Sequence, residues 1–324
     1  MTLPNTDTDL AAIESAAVEF AQGAGDLLAG YFGRVISVEY KDKAQQDPVT
    51  AADKETQAYL ERRIAARFPT HGILGEEDDA SADGDTTAAD FLWVLDPLDG
   101  TTNFMNGLPV YASSIGVLHR GIPVAGAVYI PWPASSLTGA SGSGIVVHCR
   151  AGGGAFAVGS NGVREPVSVY QTDKLRGDRL VGLPGSFGAS TRVGKGLKGQ
   201  PLGQLRVTGS IAYELAMTAM GVLQFAVIGA PRMWDMLGGA IAVQEAGGAV
   251  MTRLPGRKQW HPMESLAPTW DDKPPTMAEL RKWVAPLVAA NPTLAPLIAN
   301  NLHQRRRPVR RAVSRIKKAF SGGR

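Results

Sequence analysis

The stretch WVLDPLDGTTNF, Trp93 to Phe104, constrains this chain more than any other. FLWVLD (91–96) is an unbroken apolar run ending on an acid, the pattern of a strand buried on both faces. Pro97 and Gly100 predict a sharp turn directly after it. Asp96 and Asp99 stand three residues apart on that turn, so both carboxylates point into one small volume. Two bare carboxylates that close repel each other; one must be protonated, or a cation must sit between them. Oxygen-only ligands favour a hard ion such as Mg2+, and the Leu98 carbonyl is a further neutral oxygen. Gly100-Thr101-Thr102-Asn103 suits the first turn of a helix, whose free N–H groups attract anions. A cation cluster beside a helix start is what a phosphate ester needs.

A lone D-x-x-D-G is ordinarily a solvated turn. This one comes with two further acid groups. Glu76-Glu77-Asp78 follows the short strand expected in ILGEED (73–78), and Trp234-Asp235 opens a helical stretch, MWDMLGGAIAVQEAG. Gly238 and Gly239, one turn later, allow close backbone packing. Strand ends and helix starts converge at one edge of a sheet.

The rest of the chain reads as alternating elements. Leu10, Ile13, Ala17, Phe20, Ala24, Leu27 and Tyr31 recur at helical spacing over residues 10–31. VISVEY (35–40) reads as a strand, and DPVTAADKETQAYLERRIAARF opens a second helix with Thr50 or Asp53 near its start. Residues 113–130 read as two strands about a Gly-Ile-Pro turn, and the Gly-rich stretch 134–163 as hairpins. Residues 184–204, rich in Gly and Lys, suggest a mobile loop. Beyond them come RVTG as a strand end, SIAYELAMTAMGVL as a helix, FAVIG and AVM as strands, an irregular Pro-rich stretch over 253–276, and a strand-turn-helix unit over 286–302.

Charge divides the chain unevenly. Residues 305–324 hold nine basic side chains and no acid, which leaves 24 basic against 30 acidic residues in the rest, a net of −6. The basic balance therefore belongs to a short tail and does not make the body a nucleic-acid binder. Val309, Val313, Ile316 and Phe320 would form one apolar stripe on a tail helix, a form suited to an anionic membrane surface, a nucleic acid or an acidic protein. One cysteine, Cys149, excludes an intrachain disulfide and a Cys-based zinc site, and fits a reducing, cytoplasmic setting. The N-terminal MTLPNTDTDL has neither a basic nor an apolar region of the kind a secretory signal needs. The five histidines have no ligand spacing, Gly142-Ser143-Gly144 lacks the third glycine of a dinucleotide fingerprint, and no P-loop pattern is present.

The sequence resembles the inositol monophosphatase family of Mg2+-dependent, lithium-sensitive phosphatases. The resemblance rests on Gly75-Glu76-Glu77, WVLDPLDGTTNF and Trp234-Asp235 with GGAIAVQEAGG (238–248), and more weakly on DPVTAAD (47–53) and AANPTL (289–294). It implies an α/β (α+β) fold, a layered α-β-α-β-α sandwich of the inositol monophosphatase and fructose-1,6-bisphosphatase type, in a homodimer. An N-terminal α+β lobe (1–175) would carry the metal motifs, a C-terminal α/β lobe (176–303) the Trp-Asp ligand, and residues 304–324 the basic tail.

The resemblance also implies roles. Glu76, Asp96 and the Leu98 carbonyl would bind a first Mg2+; Asp96, Asp99 and Asp235 a second; Glu76 with waters a third. Gly100 and Thr101 N–H groups would hold phosphate oxygens. Glu76 and Thr101 would orient the attacking water, with Asp53 behind the Thr101 hydroxyl. Asp99, Gly209, Ser210 and Ile211 would meet the substrate, and Li+ would inhibit. The family lysine before the first acid block is Lys41 or Lys43. The expected activity is hydrolysis of a small polyol or sugar phosphate, such as inositol 1-phosphate, by metal-activated water. Histidinol phosphate, fructose bisphosphate and a 3′-phosphoadenosine nucleotide are alternatives. Family members acting on inositol phosphate usually carry an acid seven residues before the Trp-Asp aspartate; here that position is Ile228, and no carboxylate lies between residues 215 and 234. Arg192, Lys195 and Lys198 would favour a more anionic substrate. A different class is a regulatory or binding protein whose tail docks on RNA, a protein partner or membrane.

Overall fold

The computed structural model describes residues 7–34, 38–40, 48–78, 86–132, 144–254 and 259–304. Lys41, Lys43, Ser143 and the basic stretch 305–324 lie outside the described residues, as do the first three residues of the strand expected at 35–40.

Seven strands make the first sheet: β3 (Gly72–Gly75), β4 (Phe91–Asp99), β5 (Ala112–His119), β6 (Ile122–Ile130), β7 (Ile145–Arg150), β8 (Gly154–Gly159) and β9 (Arg164–Pro166), in chain order. Only β3 and β4 pair in parallel. The short pair β1 (Val38–Tyr40) and β2 (Pro48–Thr50) precedes it. A second sheet runs β12 (Gln204–Arg206), β10 (Leu180–Gly182), β13 (Leu223–Ile228), β16 (Leu287–Ala290), β14 (Ala249–Thr252) and β15 (His261–Pro262).

Strand alternation sorts the side chains into layers. In β4, Trp93 and Leu95 face helices α1 (Asp7–Tyr31) and α2 (Ala51–Arg67) in one apolar cluster with Ile13, Phe20 and Ile64. Leu92 and Val94 face the other way, into a second cluster with α5 (Ile211–Ala219) and α6 (Met233–Glu245). The second sheet closes that cluster with Ile228, Val250 and Ala289. It turns Phe225, Val227 and Val288 outward against α8 (Leu294–Asn301). The result is the α-β-α-β-α sandwich expected.

Two features place the site. First, a Cβ on Gly238 would stand 2.6 Å from the Ile115 carbonyl, and one on Gly126 2.5 Å from the Gly238 carbonyl. Only glycines let α6 lie backbone to backbone on the first sheet, with Asp235 one turn earlier. Second, Gly100 has φ +91, a left-handed conformation that starts α3 (Thr101–Met105).

Several expectations need correction. The chain does not turn at Pro97. β4 continues to Asp99 through a register shift between Asp96 and Asp99, and the missing N–H of Pro97 falls in that irregularity. The hairpin over 112–130 turns at Arg120-Gly121, both with positive φ, as a two-residue turn between twisted strands requires; Ile122 and Pro123 already belong to β6. The helix from Ile211 stops at Ala219 because Gly221, at φ +69, ends it, and Leu223 begins β13. Leu28, rather than Leu27, joins Leu10 as a buried leucine of α1. The stretch 184–204 carries α4 (Phe187–Ser190) and β11 (Thr191–Val193), the latter paired with β17 (Leu302–Gln304). The Pro-rich stretch leads into an unanticipated helix, α7 (Met277–Arg281).

Candidate active site

Four acids meet where β3, β4 and α6 end or begin. Glu76 directly follows β3, and its N–H still donates to the Leu95 carbonyl at 3.0 Å, so strand pairing fixes its start. Asp96, on β4, is 1% exposed. Its Oδ1 accepts the Leu98 N–H at 3.1 Å, a bond that holds the irregular segment in shape. Asp235 is the third residue of α6 and accepts the Arg232 N–H on Oδ2 at 2.8 Å, so one of its oxygens caps the helix. Glu76, Asp96 and Asp235 each offer a carboxylate oxygen, all within 4.8 Å of one another.

Asp99 stands beside this triad. Its Oδ2 accepts the Ser210 hydroxyl at 2.7 Å and the Ala212 N–H at 2.5 Å. Ser210 also accepts the Tyr213 N–H, so its hydroxyl anchors Asp99 and caps α5. Gly209, at φ +79, brings this loop against the Asn103 side chain. Asn103 Nδ2 donates to the carbonyls of Val110 and Thr208, each at 2.7 Å. Ile211 begins α5 and is partly buried.

Asp53 plays in α2 the part Asp235 plays in α6. It accepts the Thr50 N–H at 2.8 Å in a capping box, so Thr50 is the cap and Asp53 its reciprocal partner. Its other oxygen lies 3.1 Å from the Thr101 hydroxyl, which also lies 3.0 Å from the Leu98 carbonyl. One proton serves either acceptor.

The electrostatics of the group are lopsided. Burial, then the charges of Glu76, Asp99 and Asp235, push Asp96 well above the usual carboxylate range. Burial and then the Asp235 charge do the same to Asp99, against the bonds from Ser210 and Ala212. Asp235 is pushed up to about 7, chiefly by burial. Asp53 is also raised by burial, against its bonds from Thr50 and Thr101. Among the described residues, no lysine or arginine forms an ion pair with Asp96, Asp99 or Asp235. An oxygen-only donor set, buried at Asp96 and half-buried at Glu76, Asp99 and Asp235, in which all three aspartates are raised fits hard divalent cations.

The structure thus brings Glu76, Asp96 and Asp235 together, sets Asp99 beside them, and lays Gly100, Thr101 and Asp53 along the adjoining turn. Two anchors were not visible in the sequence. Asn103 is a side-chain bridge between segments 105 residues apart. Gln57 donates to Asp78 at 2.6 Å and accepts the Glu77 N–H at 2.9 Å, holding the turn that carries Glu76. Asn103 lies inside the motif and could have been singled out there; Gln57 has no local signal.

Comparison with known proteins agrees. A profile of the inositol monophosphatase family matches residues 9–304. Inositol monophosphatase 3 of Solanum lycopersicum is 33% identical over 242 residues, covering 72% of this chain and 83% of the relative. The Nus factor SuhB of Pseudomonas aeruginosa is 32% identical over 239 residues, with coverages of 72% and 83%. Among solved structures, the Anabaena inositol monophosphatase superposes with a TM-score of 0.60 at 26% identity, covering 90% of this chain and 96% of its own. The Bartonella henselae SuhB protein has the same fold, with a TM-score of 0.65 at 23% identity and coverages of 90% and 98%. This chain belongs to the inositol monophosphatase family, a family of metal-dependent phosphomonoesterases.

Proposed function

We propose that this protein hydrolyses a small polyol or sugar phosphate with Mg2+ held by Glu76, Asp96, Asp99, Asp235 and the Leu98 carbonyl. The observation that carries the reading is the convergence of Glu76, Asp96 and Asp235 with Asp99 beside them, with Asp96, Asp99 and Asp235 all raised and none of these three in an ion pair among the described residues. Bound there, Mg2+ would supply a water of lowered pKa and offset charge developing on the phosphoryl oxygens. The chain's own residues do the rest. Gly100 and Thr101 present backbone N–H groups to the phosphate. The Thr101 hydroxyl turns its proton toward Asp53 and its lone pairs toward the attacking water, and Glu76 accepts from that water. Ser210 and Ala212 keep Asp99 in place through Oδ2.

The substrate is one that makes no use of a carboxylate at the seventh position before Asp235. Ile228 is 4% exposed and ends β13 in the core, and an apolar side chain accepts no hydrogen bond from sugar hydroxyls. Phosphate release from a panel of monoesters, including inositol 1-phosphate, histidinol phosphate, fructose bisphosphate and a 3′-phosphoadenosine nucleotide, tests the reading. Release by the wild type with Mg2+, lost in Asp99→Asn, supports it; no release from any ester rejects it. We extend the proposal to inhibition by Li+, a homodimer and a cytoplasmic location.

A second role is favoured by the likeness to the Pseudomonas Nus factor together with the basic stretch 305–324. Deleting residues 305–324 separates the two. Unchanged turnover with lost binding to RNA, a protein partner or anionic vesicles supports a docking tail; unchanged binding to all three rejects it.

A further inference from the structure

The excursion between β14 and β16 returns by way of the first sheet. After β15 pairs with β14, Ser265 Oγ and the Leu266 N–H both donate to the Gly121 carbonyl, at 3.2 and 2.9 Å, in the β5–β6 turn. Arg120 pairs with Asp271 at 2.9 Å. The Ala88 N–H then donates to the Pro275 carbonyl at 3.0 Å, and the Met277 N–H to the Thr86 carbonyl at 2.9 Å, bracketing a bridge between Thr87 and Thr276. Met263, Leu266, Trp270, Leu280 and Trp283 bury their side chains along this path. The strap ends in α7, whose last residue is Arg281.

Arg281 reaches both acid-bearing segments. Its Nη1 donates to the Gly75 carbonyl at 2.8 Å and its Nη2 to Asp78 Oδ2 at 3.1 Å, one contact on each side of Glu76-Glu77. Its guanidinium carbon lies 5.6 Å from the ring centre of Trp234, the residue before Asp235. The side chain is 11% exposed, so these contacts are little diluted by water. Asp78 Oδ2 also accepts the Gly75 N–H at 2.7 Å, which closes the turn on itself.

We propose that Arg281 is a positioning residue for the divalent-cation site: it ties the Glu76 turn to the Trp234-Asp235 helix start and holds their oxygens at coordinating distance. The inference rests on the reading of the acids as a cation site. Glu76 and Asp235 repel each other, and before a cation arrives nothing in their own charges keeps them close. A guanidinium can serve two diverging acceptors and stack on an indole at once, whereas an ammonium cannot keep all three contacts. Partners that act on a metal through its ligands change affinity or activity by about 10- to 100-fold when lost.

The test is calorimetric titration of the full-length protein with Mg2+. Arg281→Met and Arg281→Lys are expected to weaken binding by about 10- to 100-fold, with a smaller fall in kcat at saturating Mg2+ and an unchanged substrate KM. Asp78→Asn, which keeps the side-chain shape, is expected to shift affinity in the same direction and decides the matter if Arg281→Met does not fold. Asp271→Ala removes a half-exposed contact of the strap elsewhere; it is expected to leave Mg2+ affinity within about twofold and the melting temperature little changed. The inference is overturned if a folded Arg281 variant binds Mg2+ as the wild type does, or if Asp271→Ala weakens binding equally. A wild type that binds no Mg2+ rejects the cation reading itself.

Discussion

Two sets of carboxylates, Glu14 with its basic partners and the acids around Asp96, are treated in opposite ways. Glu14, on α1, is 4% exposed. His148 Nδ1 lies 2.7 Å from its Oε1, Arg150 donates to its Oε2 at 2.9 Å, and Arg164 to its Oε1 at 3.1 Å. Burial pushes its pKa up, but the bonds from His148 and Arg150 outweigh that and hold it below the usual range. Asp96 is as buried as Glu14, and Asp99 and Asp235 are half-buried; among the described residues none of the three has an ion-pair partner, and all three are pushed up. The first carboxylate is satisfied inside the chain. The others are left with a charge that something from outside must balance. Buried acids thus divide into those that hold the fold together and those that weaken it in exchange for chemistry.

Asp96→Asn is expected to have the largest effect. Phosphate release is expected to fall on the order of 10³-fold, the scale of losing one preorganised charge-stabilising group, while the Mg2+-free protein melts at a higher temperature because a repelled charge is gone. Lower stability in the Mg2+-free variant would contradict the account. Glu14→Ala is the converse. It removes the buried acceptor shared by His148, Arg150 and Arg164 and is expected to cost about 3 kcal/mol in urea unfolding, the low end for breaking a buried pair, with kcat of the folded fraction retained.

Urea unfolding against pH separates the two groups by sign. Asp235 has a folded pKa of about 7, above its ordinary 3.8, so the folded state holds the proton more tightly. That contribution is complete below about pH 4 and is lost as pH rises through about 7. Asp96 and Asp99 act in the same direction. Glu14, lowered from 4.5, contributes above that pH, and the contribution is lost as pH falls through its folded value. The Mg2+-free wild type should therefore lose stability relative to Asp96→Asn as pH rises above the ordinary carboxylate range, and Glu14→Ala should lose most of its disadvantage in acid. The smallest effect belongs to Arg164→Ala. That side chain is 48% exposed, so water screens its bond to Glu14, and about 0.5 kcal/mol or less is expected in the same unfolding assay.

The two groups were unequally legible in the sequence. The site acids sit at a strand end, a bulged strand and two helix starts, and local chemistry marks each: an apolar run before Asp96, a Thr-x-x-Asp box around Asp53, glycines after Asp235. The layered fold was implied by the family resemblance that those motifs carry. Glu14 has no such mark, because its partners lie 134, 136 and 150 residues away, on β7 and β9, and meet it only through the packing of α1 on the first sheet. Arg281 meets Gly75 across 206 residues for the same reason. β10 and β12, three residues each and paired in parallel, are too short to show a period. β11 was missed because it pairs through its backbone, which Gly- and Lys-rich composition does not reveal.

The central claim is that the acids around Asp96 are a cation site rather than a structural cluster. Melting of the wild type and of Asp96→Asn at pH 8, with and without millimolar Mg2+, tests it most directly. Mg2+ is expected to raise the melting temperature of the wild type by several degrees, about what binding well above Kd confers, and to leave Asp96→Asn nearly unmoved. A wild-type melting temperature indifferent to Mg2+, or an equal rise in both proteins, would contradict it.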